Sequence, residues 1–256
     1  ALSSDLSVMR QSMLFGLLEG LAYNINRKNS NLKMFEFGNT YHKYDQGYAE
    51  DKHLLLAFTG KRKSDHWAEA NKTSDIFYLK GVVKTLMERL GITGLKYTRT
   101  KNDIFSEGIS LELGKIKIVE FGVVKNSVLK KFGIKQEVLF ADFNWNNVIA
   151  NVGKKKIKSS ELSKHPEVKR DLALLLDEKV DFIDLYNYAF QSERKLLKNV
   201  DLFDVYMGDK LPEGKKSYAL SFILQDDQKT LTDKQIDKIM SKLQEGFKKQ
   251  FEAELR

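Results

Sequence analysis

Two strand-like stretches joined by a short polar connection, within residues 197–225, constrain the fold of this chain most. Apolar residues recur on both sides of the connection, which is typical of a β-hairpin. Within the connection, Gly208 and Gly214 permit positive φ, and Pro212 fixes φ near its turn value. The sequence therefore predicts two antiparallel strands that lie next to each other in a sheet.

The polar residues of this hairpin suggest a binding surface. Asp204 and Tyr206 stand two residues apart, so we expect them to face the same side of their strand, and Ser217 opens the returning strand. A sheet face that offers a carboxylate, an aromatic ring and a hydroxyl suits a nucleotide base. From the residues alone a simpler interpretation stays open, in which Tyr206 is a half-buried strand aromatic and Asp204 bonds the backbone near the turn.

The hairpin belongs to a longer series of elements from residue 165 onward. Thr232 and Gln235 are spaced as a capping box before an amphipathic helix. The predicted order is βαββαβ, a ferredoxin-like unit whose two helices cover one face of a four-stranded sheet and leave the other face available to a partner such as RNA. The predicted strands are 169–176, 198–207, 216–225 and 252–256, and the predicted helices are 181–191 and 232–249.

The order of helix-like and strand-like segments in residues 1–153 predicts a separate mixed α+β domain with antiparallel strands. Its first helix is expected at 6–26, capped by Ser3, Ser4 or Asp5, and its second begins after Ser74 or Asp75 and ends near residue 90. A lysine-rich polar stretch, residues 154–164, is the predicted linker to the domain at 165–256. The remaining predicted elements are strands at 32–41, 54–59, 109–113, 115–124 and 138–143, and a short helix at 126–132.

Composition narrows the function classes. The chain has no cysteine, so it has neither disulfides nor thiolate metal sites, and no apolar run approaches the roughly 18 residues that a membrane span needs. These features favour a cytoplasmic protein. The net charge of +8 suits an anionic partner. However, residues 154–256 carry 21 basic and 19 acidic side chains, so charge does not single out that part as an RNA binder.

No self-sufficient active site is visible in the sequence. Phosphate-binding glycine motifs are missing, and the four histidines (His42, His53, His66 and His165) lack metal-ligand spacing. We therefore predict neither catalytic residues nor a metal site.

Several blocks in matching order resemble the C-terminal part of the β subunit of bacterial phenylalanyl-tRNA synthetases. In the second domain these are HPEVKRDLALLLD from His165, LFDVYMGDKLPEGKKSYAL from Leu202, TLTDKQI from Thr230 and the terminal AELR. In the first domain they are SSDLSVMRQSMLFGLLEGLAYNINR from Ser3 and the following LKMFEFGNTYH.

The resemblance implies a class II synthetase-like module without catalytic function, followed by a ferredoxin-fold anticodon-binding domain. The first module would pack against the catalytic α subunit in an (αβ)2 assembly. ATP and Mg²⁺ would serve the complete complex and not this fragment. Further domains are expected to precede Ala1, and the fragment alone is expected to be inactive.

By motif position, the resemblance implies that the anticodon of tRNA(Phe) contacts Asp204, Tyr206, Ser217 and, at the start of the domain, Ala173. Arg170 and Lys216 are the candidates for phosphate contacts. A protein-interaction scaffold within a ribonucleoprotein, without direct RNA contact, is the alternative function.

Overall fold

A six-stranded and a four-stranded antiparallel sheet belong to two separate units of the chain. The computed structural model describes residues 8–100, 102–153 and 163–256. The first unit is Ala1–Lys158 and the second is Ser159–Arg256. The predicted linker lies outside the described residues except for its last two positions, so the domain limits stay a prediction.

The first unit is a mixed α+β unit, as the sequence predicts. Its described elements, in chain order, are α1 (Leu14–Ile25), β1 (Leu32–Tyr44), β2 (Gly47–Thr59), α2 (Ile76–Arg89), β3 (Lys96–Arg99), β4 (Phe105–Leu113), β5 (Ile116–Val124), α3 (Asn126–Lys131), β6 (Val138–Asn144) and α4 (Trp145–Asn151).

Helices cover both faces of the sheet in this unit. The strand order is β1-β2-β6-β5-β4-β3, and every neighbouring pair is antiparallel. Leu55 and Phe140 share a buried cluster with α1, whereas Phe121 and Phe143 share one with α2. Because successive side chains point to opposite faces of a strand, the apolar side chains of these strands pack into two cores, one on each face of the sheet.

Helix α2 begins where the sequence predicts. Asp75 is its N-cap, and the Asp75 carboxylate accepts a hydrogen bond of 2.8 Å from the backbone N–H of Tyr78. This bond satisfies one of the free N–H groups in the first turn of a helix. Leu79, Val83 and Met87 on the inner face are fully buried against the sheet.

The predicted start of the first helix is wrong. Helix α1 begins at Leu14 and not at residue 6. At this start, the Ser12 hydroxyl accepts a hydrogen bond of 3.2 Å from the Leu14 N–H. The expected caps at Ser3, Ser4 and Asp5 lie outside the described residues. Strand β3 and helix α4 were not predicted, because a four-residue edge strand and a two-turn helix are too short to show a clear period.

The second unit confirms the predicted ferredoxin-like order βαββαβ. Its strands pair in the order β10-β7-β9-β8, with every pair antiparallel. The elements are β7 (Val168–Asp177), α5 (Phe182–Ser192), β8 (Leu197–Tyr206), β9 (Lys215–Leu224), α6 (Asp233–Phe251) and β10 (Glu254–Leu255).

Both helices of the second unit lie on one face of its sheet. The core on that face joins Leu174 and Phe222 of the strands to Leu185 of α5 and Phe247 of α6. The predicted capping box of α6 is present, with the Thr232 N–H donating to Gln235 Oε1 at 3.1 Å. None of the helices in the described ranges has the length and hydrophobicity that a membrane span requires.

Candidate functional site

Small side chains line the central strand on the helix-free face of the second sheet, which we call the open face. Tyr218, Leu220 and Phe222 of β9 point into the helix-covered core. The residues between them therefore point the other way. These are Ala219 and Ser221, and the same alternation places Ser217 on the open face. The result is a row of small residues between the larger side chains of β7 and β8.

The predicted base-binding residues lie in two neighbouring rows across this face. In one row Ala219 pairs with Ala173 of β7 and with Asp204 of β8. In the next row Ser217 pairs with Tyr206 of β8. Neighbouring strands are about 4.8 Å apart, so Asp204 and Ala173 lie about 10 Å from each other across the alanine floor. The structure thus brings all four predicted residues together.

A β-bulge in β8 turns Asp204 toward the open face. Leu202 pairs with Leu220, and Asp204 pairs with the next residue, Ala219, so Phe203 is an extra residue in the strand. In a regular strand Asp204 would share the helix-covered face with Leu202. The bulge instead places the carboxylate of Asp204 and the ring of Tyr206 on the same exposed side.

Arg256 is a part of this surface that the sequence reasoning did not assign. Its backbone N–H donates to the Ala173 carbonyl at 3.1 Å, which anchors it beside β7. Its guanidinium carbon lies 5.4 Å from the centre of the Tyr206 ring, within the range of a cation–π contact. The terminal AELR block was the only sequence signal for this residue.

The turn residue Gly208 has a different role from the predicted one. Gly214 has the expected positive φ of 73°, but Gly208 is not among the described glycines with positive φ. A Cβ atom at Gly208 would lie 2.9 Å from the Tyr206 hydroxyl oxygen. Glycine at this position therefore makes room for the tyrosine ring.

The two predicted phosphate contacts do not lie on the open face. Lys216 is on the helix-covered side of β9, is only 6% exposed, and its Nζ donates to the Glu178 carbonyl at 2.8 Å. Arg170 has the same strand parity as the core residues of β7, and its guanidinium lies 3.8 Å from Asp233. A phosphate on the open face would be out of reach of Lys216, because alternate strand positions point to opposite faces. Arg256 and Lys169 lie on the open side, where Lys169 Nζ is 5.7 Å from the centre of the Phe203 ring.

The first unit contains a polar network that resembles a catalytic triad in geometry only. Thr40 Oγ1 lies 3.1 Å from His53 Nε2, and His53 Nδ1 lies 2.6 Å from Asp142 Oδ1. The hydrogen bond to Asp142 raises the pKa of His53, and burial opposes that shift. Thr40 is only 3% exposed, so no substrate can approach its hydroxyl. The network therefore joins β1, β2 and β6.

In the part of the chain that the structure describes, no group of three or more His, Asp or Glu side chains is arranged to hold a metal ion.

Comparisons with known proteins agree with this architecture. Residues 1–145 match the model of the phenylalanyl-tRNA synthetase beta chain CLM domain, and residues 163–256 match that of the ferredoxin-fold anticodon-binding domain. The chain is 46% identical over 267 residues to the phenylalanine–tRNA ligase beta subunits of Bacteroides fragilis and Bacteroides thetaiotaomicron, matching 100% of this chain and 33% of each relative.

Among solved structures, a crystal structure of pyrrolysyl-tRNA synthetase from Desulfitobacterium hafniense shows 15% sequence identity and a TM-score of 0.44, covering 55% of this chain and 48% of that one. The chain spans about a third of the length of the curated relatives that it matches. The two matching models cover both units in order, and the chain therefore belongs to the phenylalanyl-tRNA synthetase β chain family.

Proposed function

We propose that the second unit binds the anticodon of tRNA(Phe) on its open face. The arrangement of Asp204, Tyr206, Ser217 and Ala173 in two adjacent rows is the observation that supports this function best. Tyr206 stacks on the first anticodon base, and Asp204 accepts hydrogen bonds from the amino and imino groups of guanine. Ala173 and Ala219 are small enough to let the base approach the sheet.

Charge makes a small contribution to this recognition. The second unit, residues 159–256, is close to neutral, with 17 basic and 19 acidic side chains. Binding through phosphate contacts alone would weaken steeply with salt concentration. We expect a shallow salt dependence for the isolated second unit, since stacking and hydrogen bonds provide most of its affinity.

The chain acts within a larger ligase. We propose that its first unit packs against the catalytic α subunit in a cytoplasmic (αβ)2 assembly that charges tRNA(Phe) with phenylalanine. ATP and Mg²⁺ are used by that complex, and the present chain alone is inactive. The names of its relatives, which are beta subunits of phenylalanine–tRNA ligases, support this proposal.

Footprinting of tRNA(Phe) tests where the RNA binds. We expect the chain to protect the anticodon loop from cleavage, and a tRNA with a substituted first anticodon base to lose that protection. Protection confined to other parts of the tRNA would contradict the proposed anticodon site.

A protein-interaction scaffold without RNA contact is the second candidate. Large aromatic side chains on the first unit favour it: Phe35 and Phe37 on β1 are 70% and 55% exposed, and such residues are typical of contact surfaces. A chain that associates with the α subunit but gives no footprint on tRNA(Phe) would support this second function over the first.

A further inference from the structure

The guanidinium of Arg256 lies on the side of the Tyr206 ring where the proposed base would bind. Tyr206 is on β8 and Arg256 directly follows β10, and these two strands are the opposite edges of the sheet. The guanidinium carbon nevertheless lies 5.4 Å from the centre of the ring, so the two side chains meet over β7 and β9. Ala173 and Ala219 are on those inner strands. A base that lies over the alanines therefore needs the space that the guanidinium occupies.

Arg256 also stands at one end of the row that contains Asp204. The Arg256 N–H donates to the Ala173 carbonyl at 3.1 Å. Ala173 pairs with Ala219, and Ala219 pairs with Asp204. Three strand spacings of about 4.8 Å place the backbones of Arg256 and Asp204 about 14 Å apart. Because only two alanines lie between them, this row has room for a base.

The space between the Tyr206 ring and the Arg256 guanidinium, which we call the slot, is too narrow for a base in the free protein. Two stacked contacts of about 3.5 Å each need about 7 Å, and the slot measures 5.4 Å. One wall therefore has to withdraw by about 2 Å before a base can enter.

The guanidinium is the wall that moves. Tyr206 is half-buried, and its hydroxyl oxygen would lie 2.9 Å from a Cβ atom at Gly208, so its ring is held on one side. The Arg256 side chain is exposed, and the ion pairs found among the described residues of this unit do not include it. An exposed cation–π contact is weaker than the stacking of a base on an aromatic ring. A base can therefore displace the guanidinium from Tyr206.

We propose that Arg256 clamps the first anticodon base against Tyr206. The guanidinium leaves the ring as the base enters and then stacks on the opposite face of the base. Its planar shape suits this contact, since guanidinium groups stack on bases as aromatic rings do. Asp204 meets an edge of the same base. The proposal rests on the anticodon site proposed above, and it adds the residue that closes that site.

Kinetics of anticodon stem-loop binding test the clamp. We expect Arg256→Ala to raise the dissociation rate of a tRNA(Phe) anticodon stem-loop about fivefold or more, in the range of cation–π contacts. Arg256→Lys should raise it to a similar extent, because an ammonium group keeps the charge but has no plane to stack. Circular dichroism should be unchanged in both, since the side chain is exposed and the backbone bond to Ala173 remains.

Lys169→Ala is the matched control. It removes one positive charge from the same open side, four residues and about 13 Å along β7 from Ala173. We expect the dissociation rate of this variant to equal that of the wild type. The association rate of Arg256→Ala should not be lower than that of Lys169→Ala, because the guanidinium has to leave the ring before a base enters.

A double variant tests whether Tyr206 and Arg256 hold the same base. Without the Tyr206 ring the slot has one wall, so Arg256→Ala should weaken binding less in a Tyr206→Ala chain than in the wild type. Equal effects of Arg256→Ala in both chains would contradict a shared base.

The outcomes separate this inference from the proposed function. If the wild type and Tyr206→Ala bind the stem-loop equally, the anticodon site itself is wrong, and the clamp fails with it. If Tyr206→Ala weakens binding and Arg256→Ala dissociates like the wild type or like Lys169→Ala, the site stands and the clamp is wrong. If Arg256→Lys keeps wild-type rates and Arg256→Ala lowers the salt dependence, Arg256 contacts a phosphate, which also overturns the inference.

Discussion

The two sheets of this chain have similar antiparallel pairing but differ in which faces are covered. The first sheet has buried clusters on both faces, one with α1 and one with α2. The second has both helices on one face and leaves Asp204, Tyr206 and Ser217 on the other. Both faces of the first sheet carry a helix, whereas one face of the second sheet carries none. The position of the helices, and not the strand pairing, distinguishes the two sheets.

The largest expected effect distinguishes the two faces of the second sheet. Phe222→Ala removes a ring with 0% exposure between the strands and α6. We expect it to destabilise the second unit by about 3–5 kcal/mol, the usual cost of deleting a buried phenylalanine. Phe203→Ala on the open side should change stability by less than about 0.5 kcal/mol. Urea denaturation followed by circular dichroism measures both, and equal losses would contradict the one-sided core.

A smaller effect is expected at the helix that covers one face of the first sheet. Asp75→Ala removes the N-cap of α2 and the ion pair with Arg62. The expected loss of stability is about 1–2 kcal/mol, within the range for N-cap substitutions. Asp75→Asn is the control, since asparagine caps helices equally well and should retain most of the stability. Denaturation of the two variants side by side would show whether the N-cap hydrogen bond or the charge of Asp75 provides the lost stability.

The smallest expected effect is a pH dependence of the unfolding free energy. It arises at His53, on the face of the first sheet that α1 covers. Asp142 raises the pKa of His53, Asp51 adds to the shift, and Arg10 opposes it. Because the pKa of His53 is raised in the folded state, protonated His53 stabilises the fold. This stabilisation is complete below the ordinary histidine pKa of 6.5 and is lost as the pH rises through the folded-state pKa. The free energy of unfolding of the wild type should therefore fall over that interval.

Asp142→Asn provides the comparison for this pH dependence. The substitution removes the carboxylate, so the fall in unfolding free energy over the same pH interval should be reduced. Denaturation at a series of pH values checks the difference. Identical pH profiles for the two proteins would show that the His53–Asp142 contact does not stabilise the folded state.

Local patterns predict the second unit well because each element carries its own signal. The spacing of Thr232 and Gln235 and the two-residue period of β9 both predict contacts that the structure contains. The bulge at Phe203 could not be predicted, because it depends on how β8 pairs with β9 and not on the residues of β8 alone.

Strand parity gives information that residue type alone does not. Lys216 is a candidate phosphate contact in the sequence, but adjacent strand residues point to opposite faces, so Lys216 lies on the face opposite Ser217 and its Nζ donates to the Glu178 carbonyl. Arg256 reaches Tyr206 only because β10 pairs beside β7, which is a tertiary contact. The shared face of Asp204 and Tyr206 follows from their spacing in the sequence, whereas the position of Arg256 required the fold.

The most direct measurement is the binding of a tRNA(Phe) anticodon stem-loop to Tyr206→Ala. Val205→Ala is the control, because Val205 is adjacent but pairs with Tyr218, whose side chain lies on the helix-covered face. If the open face reads the anticodon by stacking, Tyr206→Ala weakens binding by about 1–3 kcal/mol and Val205→Ala leaves it nearly unchanged. Equal affinity of the stem-loop for wild type and Tyr206→Ala would contradict recognition on this face.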